Sequence, residues 1–294
     1  MELVGHFRGL LGRIEPGDTH VANAKKAHEL LRKRLREHDD VGKAHLDSYL
    51  AGSYARHTAI KDIKDVDVIC LLNMDKENNE PIVVLRWLEG ALLDYYEDVH
   101  LQGRSIGVIT PEKFCLDVVP GTPQGDMAGP SWIPDRDAGA WVLSHPKGQI
   151  GFATSRNAST AGFHVQVVKI MKHWRDRIGR ESARPKSYVL ETLVAHTMGS
   201  APPKSHAVAV ITVLDGILSR YRTWVGTGTV PTIPDPGYTS LNVAKRWESA
   251  AFDVFLSNVE SAATVARNAL QEADEEKSAA AWRRLFGDEF APAA

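Results

Sequence analysis

Two cysteines in 294 residues are too few for a disulfide framework or a cysteine-rich zinc module. Both, Cys70 and Cys115, sit in apolar strand-like runs, as reduced thiols of a core do, so a cytoplasmic setting is expected. The 12 histidines fall at no ligand-like spacing. Charge of one sign is also missing: 35 Lys and Arg face 37 Asp and Glu, a formal net charge of −2. That balance excludes a general polyanion-binding surface, and any affinity for phosphate must come from a local cluster. The one long basic helix, Lys25 to Arg36, carries Glu29 within it and Glu37, Asp39 and Asp40 beyond, so direct nucleic-acid binding is not expected. No run approaches the roughly eighteen uncharged apolar residues of a membrane helix, and the N-terminal segment lacks a signal peptide's cleavage pattern, so no membrane association is expected. What remains is globular: 43% hydrophobic and 24% charged, with a mean hydropathy of −0.24.

Hydrophobic periodicity organises the chain into two parts. After Pro16-Gly17-Asp18-Thr19, the residues Val21, Ala24, His28, Leu31 and Leu35 recur at steps of three and four, predicting a long amphipathic helix to Asp39-Asp40. Ser48–Ala51 reads as a short strand running into a Gly52-Ser53 turn, and Val66–Leu72 as a buried strand. Pro81 opens a helix with Val84, Leu88, Ala91, Leu92 and Tyr95 on one face. Strands over about 99–109 and 113–119 follow, joined at Thr110-Pro111-Glu112. Six Pro and Gly residues between Pro120 and Pro130 predict a long ordered loop reaching Lys147. From Ser159 onward the pattern is almost wholly helical: one stripe of Phe163, Val167, Ile170, Met171, Trp174 and Ile178, then Tyr188–His196 and Val208–Arg222. Thr239-Ser240 starts a further helix with Trp247, Ala251, Val254, Phe255, Ala262 and Ala269 as its stripe, and a last short helix carries Trp282, Leu285 and Phe286. The expected division is a catalytic lobe over 1–158 and a helical lobe over 159–294.

The chemistry resides in Gly52-Ser53, Asp65-Val66-Asp67 and Asp117. Side chains two apart on a strand point the same way, so Asp65 and Asp67 project together at the start of an apolar run. Asp117 interrupts a second such run, Phe114-Cys115-Leu116-Asp117-Val118-Val119. Carboxylates on neighbouring strands repel one another unless a cation lies among them, and a set of hard oxygen donors suits Mg2+ (Mn2+ as the alternative) completed by substrate phosphates. A two-metal displacement uses three such acids. Glycine lets the backbone come close to a phosphate, and the Ser53 hydroxyl adds a donor. Gly-Ser or Asp-x-Asp alone would be an ordinary turn or strand edge; the joint spacing, with Ser53 twelve positions before Asp65 and Asp117 fifty after Asp67, is the specific signal.

That combination, AGSYARHTAIKDIKDVDVICLL followed by FCLDVVP, resembles the signature of the polymerase-β-like nucleotidyltransferases, and within them the cGAS/DncV-like nucleotidyltransferases (CD-NTases) of bacterial CBASS antiphage systems. TAGFHVQVVKIMKHWRD, ARPKSYVLETLVAH and SAAAWRRLFGDEF resemble that family's helical segments, so the similarity runs from about Ala22 to Phe290. It implies an α+β fold: a nucleotidyltransferase lobe with a mixed twisted sheet, an α-helical C-terminal lobe, and an active site in the cleft between them. It implies Asp65, Asp67 and Asp117 as metal-binding catalytic triad, with Asp117 on the acceptor-hydroxyl side, and Gly52 and Ser53 as the phosphate-contacting turn. Lys172 matches a lysine that contacts the triphosphate, Ser187 the serine beside it, and Tyr188 an aromatic that stacks on the donor base. The implied reaction is attack of a ribose hydroxyl on the α-phosphate of an NTP (ATP, GTP or a pyrimidine NTP), repeated to give a cyclic di- or trinucleotide second messenger. Accessory partners of the HORMA-like or ubiquitin-transfer-like kind are implied too; the small residues of the tail Phe290–Ala294 would suit conjugation by the latter.

The residues add their own support. From Lys169 to Lys186, seven Lys and Arg face only Asp176 and Glu181. Lys169 and Lys172 border the inward stripe one helical turn apart, where both could face one anion. Arg175, Arg177 and Arg180 read as a solvated face, His57 as scaffolding, and Trp174, Trp247 and Trp282 as core. Trp141 and Asn157, in or just after the long loop, are weaker candidates for lining the nucleotide cleft. Two other functions share the central motif: transfer of a nucleotide to a protein, small molecule or RNA end, and a catalytically silent scaffold. Intact carboxylates speak against the second, and the Lys172 and Ser187-Tyr188 segments against the first.

Overall fold

The computed structural model describes residues 1–61, 65–179 and 184–293. Contacts divide it into two compact units, one of Pro16–Gly151 and one of Met1–Glu15 with the residues from Phe152 onward. The expected boundary at 158/159 thus lies at 151/152, and the first fifteen residues pack with the helical unit. They do so through α1 (Val4–Ile14), whose Phe7, Leu10 and Ile14 are almost fully buried.

The unit of 16–151 begins with α2 (Asp18–Glu37), which buries Ala24, His28, Leu31 and Leu35 as their spacing predicts. A single turn, α3 (Val41–Ala44), leads to β1 (His45–Leu50), and Gly52–Ala55 form another short helical turn, α4. Then come β2 (Val66–Leu72), α5 (Pro81–Leu93), β3 (Asp98–Leu101), β4 (Ile106–Ile109) and β5 (Cys115–Pro123). These strands form a sheet in the order β1-β2-β5-β4-β3, and β2 and β5 run parallel while the other pairings are antiparallel. One sheet face carries Val66, Val68, Cys70, Ile106, Leu116 and Val118 against Leu31, Leu35, Leu85 and Leu88 of the helices. Tyr95, expected on the α5 stripe, lies beyond the helix end and is exposed.

Half of the loop expected between Pro120 and Lys147 is instead sheet. β5 continues to Pro123 and pairs with β6 (Ser131–Asp135), which pairs with β7 (Ala140–Ser144). Proline and glycine disfavour a strand locally, but Thr122 opposite Trp132 and Ile133 opposite Val142 give these segments partners that local composition does not reveal.

α6 (Pro146–Ser159) follows, then the helical unit: α7 (Phe163–Arg177), α8 (Ser187–Thr197), α9 (His206–Tyr221), α10 (Ser249–Gln271) and α11 (Glu275–Phe286). A hairpin of β8 (Pro234–Asp235) and β9 (Tyr238–Asn242) precedes α10. Thr239-Ser240 lie in β9 rather than starting a helix, and Val254 is 46% exposed. Asn242 explains the turn: its Oδ1 accepts from the amides of Ile233 and Ala244, both at 3.0 Å, drawing the chain into a closed loop. Trp174 and Trp282 are core, as expected, and Trp247 packs on Phe252 and Phe255.

Phe7 of α1 meets Trp282 and Phe290 edge-on, with ring centroids at 5.1 and 4.9 Å. Arg13 donates to the carbonyls of Ala291 (2.8 Å) and Pro292 (2.7 Å), and a Cβ at Gly9 would overlap Ala291 O. The chain from Phe290 to Ala293 is therefore strapped to α1, with Phe290 fully buried.

Candidate active site

The parallel pairing of β2 with β5 sets the register that matters. Asp67 and Asp117 are Cα partners, each the one charged residue of its strand. Val66 and Val68 are fully buried on either side of Asp67, so its carboxylate projects from the opposite face, together with Asp65, which is exposed just before the strand. Gly52 lies against Asp67. Its φ of +63° is left-handed, and a Cβ there would overlap the Asp67 carboxylate; glycine is thus required on two grounds. The amide of Ala51 donates to Asp67 O at 2.9 Å, and the amide of Thr58 to Ser53 O at 2.9 Å, fixing the turn over the strand end. His57 is exposed and also left-handed (φ +58°), part of the loop's curvature.

Burial, then the charges of Asp65 and Asp117, push the Asp67 carboxyl up to about 7, against the opposing influence of Arg56 and a backbone hydrogen bond. Asp117 is also raised, by burial and then by Asp65, with a hydrogen bond from Gln102 acting the other way. Two residues here were not singled out in the sequence. Arg56, 7% exposed, is the cation that Asp67 senses. Gln102 donates from Nε2 to Asp117 Oδ1 at 2.9 Å and accepts from Ser105 Oγ at 2.9 Å. Gly107, the β4 partner of Asp117, gives that amide room: a Cβ there would lie 2.6 Å from Gln102 Nε2. A glycine inside the apolar run Ile106–Ile109 was the available signal.

Among the described residues, no group of three or more His, Cys, Asp or Glu side chains is arranged to hold a metal ion by itself. The donor set nevertheless fits a hard divalent cation. Asp65, Asp67 and Asp117 offer oxygen only, and their mutual repulsion is what such an ion relieves. An open set of carboxylates, completed by water and phosphate, is the coordination Mg2+ prefers.

The helical unit holds the second group. Lys172 is 3% exposed, with its ammonium 2.6 Å from Oε1 of Glu191, itself 6% exposed. Lys169 lies 2.8 Å from Glu15. The two lysines thus meet two different carboxylates rather than one shared anion, because an ammonium withdrawn from water needs its own counter-charge. Arg175 is not on a solvated face: its side chain is 12% exposed and donates to Ser187 Oγ at 2.7 Å. Arg177 is more open and pairs with Glu289, while Arg180 and Glu181 lie outside the described residues. Tyr188, partly exposed, donates its hydroxyl to Asp235 Oδ1 at 2.7 Å. Trp141 donates to Asn79 O at 2.8 Å and Asn157 Oδ1 accepts from the amide of Val165, so both have structural hydrogen bonds.

The chain is similar to known proteins along most of its length. Residues 1–157 match the family model described as the Second Messenger Oligonucleotide or Dinucleotide Synthetase domain. A cyclic AMP-AMP-AMP synthase of Acinetobacter sp. is 33% identical over 293 residues, covering 97% of this chain and 84% of the relative. Among solved structures, E. coli CdnC with ATP superposes with a TM-score of 0.82 at 17% identity, covering 99% of both chains; CdnC is also known in complex with a HORMA protein. The Vibrio cholerae cyclic AMP-GMP synthase DncV, bound to a linear intermediate, gives 0.72 at 14% identity, covering 98% of this chain and 97% of its own.

Proposed function

The chain belongs to the Second Messenger Oligonucleotide or Dinucleotide Synthetase family of cGAS/DncV-like nucleotidyltransferases, and we propose that Asp65, Asp67 and Asp117 form the centre at which it joins NTPs. It is a nucleotidyltransferase that makes a cyclic oligonucleotide second messenger. A ribose hydroxyl attacks the α-phosphorus of an NTP; the new P–O bond forms as the bond to pyrophosphate breaks, and repetition closes the ring. The Acinetobacter relative's product makes a cyclic trimer of AMP the first candidate.

Each residue's part follows from its surroundings. Asp65, Asp67 and Asp117 would hold Mg2+, which when bound neutralises phosphate charge and acidifies the attacking hydroxyl. Asp117, with Oδ1 fixed by Gln102, presents its other oxygen toward the acceptor hydroxyl. Gly52 brings backbone close to the triphosphate and Ser53 adds a hydroxyl donor. Lys169, Lys172 and Ser187 would reach the phosphates only by exchanging their present partners Glu15, Glu191 and Arg175 for them, and Tyr188 would stack on the donor base. A HORMA-like accessory protein, an antiphage role and a cytoplasmic setting complete the reading; among the described residues no helix is long and apolar enough to cross a membrane.

The observation that carries this proposal is the pairing of Asp67 with Asp117 beneath Gly52. The test is incubation of the full chain with all four NTPs and Mg2+, then phosphatase treatment and mass analysis, beside the Asp65→Ala/Asp67→Ala variant. A phosphatase-resistant product absent from the variant is expected. Labelled protein or RNA in place of a small product would overturn it.

A further inference from the structure

The β8–β9 hairpin presents a buried carboxylate to the helix that begins at Ser187. Asp235 is 1% exposed, a placement that disfavours a charged group unless donors converge on it. Two do so on one oxygen: Oδ1 accepts from the Tyr188 hydroxyl and from the Gly237 amide, both at 2.7 Å. The amide closes the hairpin turn locally. The hydroxyl comes from 47 residues away and ties the hairpin to α8. The hairpin is itself fixed, through the two amides bound by Asn242 and through Ile233, which is fully buried.

We propose that Asp235 is a positioning residue that holds the ring of Tyr188 ready to stack on a nucleotide base. The inference rests on the reading of Tyr188 as the stacking aromatic. A tyrosine at the start of a helix is anchored at one end by its backbone; Val189 and Leu190, which follow it, are buried. Asp235 anchors the other end. With both ends held, the ring loses the side-chain freedom that a ligand would otherwise have to suppress on binding. Stacking on an aromatic ring accepts any base, so the anchor strengthens binding of every NTP the enzyme uses rather than selecting among them.

The test compares Tyr188→Phe, Asp235→Asn, their double variant and Tyr188→Ala in the full chain. It reads KM and kcat for ATP, together with the quenching of etheno-ATP fluorescence that ring stacking causes. Tyr188→Phe should raise KM about three- to tenfold, more than it lowers kcat, and reduce the quenching. Asp235→Asn, whose amide oxygen still accepts from the hydroxyl but without the charge, should lie between wild type and Tyr188→Phe, and in the Tyr188→Phe background it should change KM and quenching little further. Wild-type KM and quenching in Tyr188→Phe, with both lost in Tyr188→Ala, would overturn the role of Asp235 while leaving the stacking reading standing. Unchanged binding in Tyr188→Ala would remove the stacking reading and the inference with it. Should Asp235→Asn fail to fold, Tyr188→Phe, which deletes a single oxygen, decides alone.

Discussion

Asp67 faces Asp117 across a parallel strand pair, with Gly52 pressed against the first carboxylate and Gly107 flanking the second. Gathering like charges opposes folding: burial first, then Asp65 and, for Asp67, Asp117, push both carboxyls up. Such an arrangement is understandable where activity, rather than stability, sets the residue type.

Asp67→Asn should therefore separate the two properties. Cyclic product should fall by a hundredfold or more on the order expected for a lost metal ligand, while the melting temperature in the absence of divalent cation rises by about 2–4 °C. Pyrophosphate release and thermal unfolding of the same preparation measure both.

Gln102→Ala removes the donor that orients Asp117 and leaves Ser105 without its acceptor. A drop of about ten- to a hundredfold in activity or Mg2+ affinity is the expected size for an outer-sphere partner. A Mg2+ titration of the initial rate reads it, and unchanged Mg2+ dependence would show that Asp117 does not need this amide.

The Lys172–Glu191 pair predicts strong non-additivity. Glu191→Leu alone strands a buried ammonium and should destabilise by about 3–5 kcal/mol; Lys172→Met/Glu191→Leu should recover most of that, since neither charge is then left uncompensated. Denaturant unfolding of the two singles and the double closes the cycle. NTP affinity of the double variant separately reports what Lys172 contributes to phosphate binding.

His164 is 3% exposed and its Nδ1 has no hydrogen-bond partner among the described residues. Burial, and then Arg156, push its pKa down to about 4, against a smaller opposing effect of Glu191. The unfolded chain, with an ordinary value near 6.5, binds the extra proton first, so stability present above pH 6.5 is lost as pH falls toward 4. Relative to wild type, His164→Leu should gain up to roughly 3 kcal/mol across that window. Parallel pH profiles of the two proteins would contradict the assignment.

The helices were legible because their stripes recur over many turns; α2 and α7 follow the spacing of Leu31, Leu35, Ile170 and Trp174. The carboxylates were legible because Asp67 and Asp117 break apolar runs. Gln102, Arg56 and Asp235 were not, since each acquires its role from a residue that pairing or packing brings to it. The same reason hid β6 and β7, which fell within an expected loop, and β9, whose Thr239-Ser240 read as a helix start. Lys172 shows the converse: its position on the helix was legible, its burial against Glu191 was not.

The alliance of α1 with Trp282, Phe286 and Phe290 bears on the order in which the protein is made. A ribosome that has synthesised as far as β7 has delivered every strand of the seven-stranded sheet, which can close while synthesis continues. Phe7, translated long before, meets His206 of α9 sooner but must wait for Trp282, Phe286 and Phe290. Until then α1 has α7 and α9 beside it but not α11, and its closure with Phe290 is among the most distant in sequence that this fold demands.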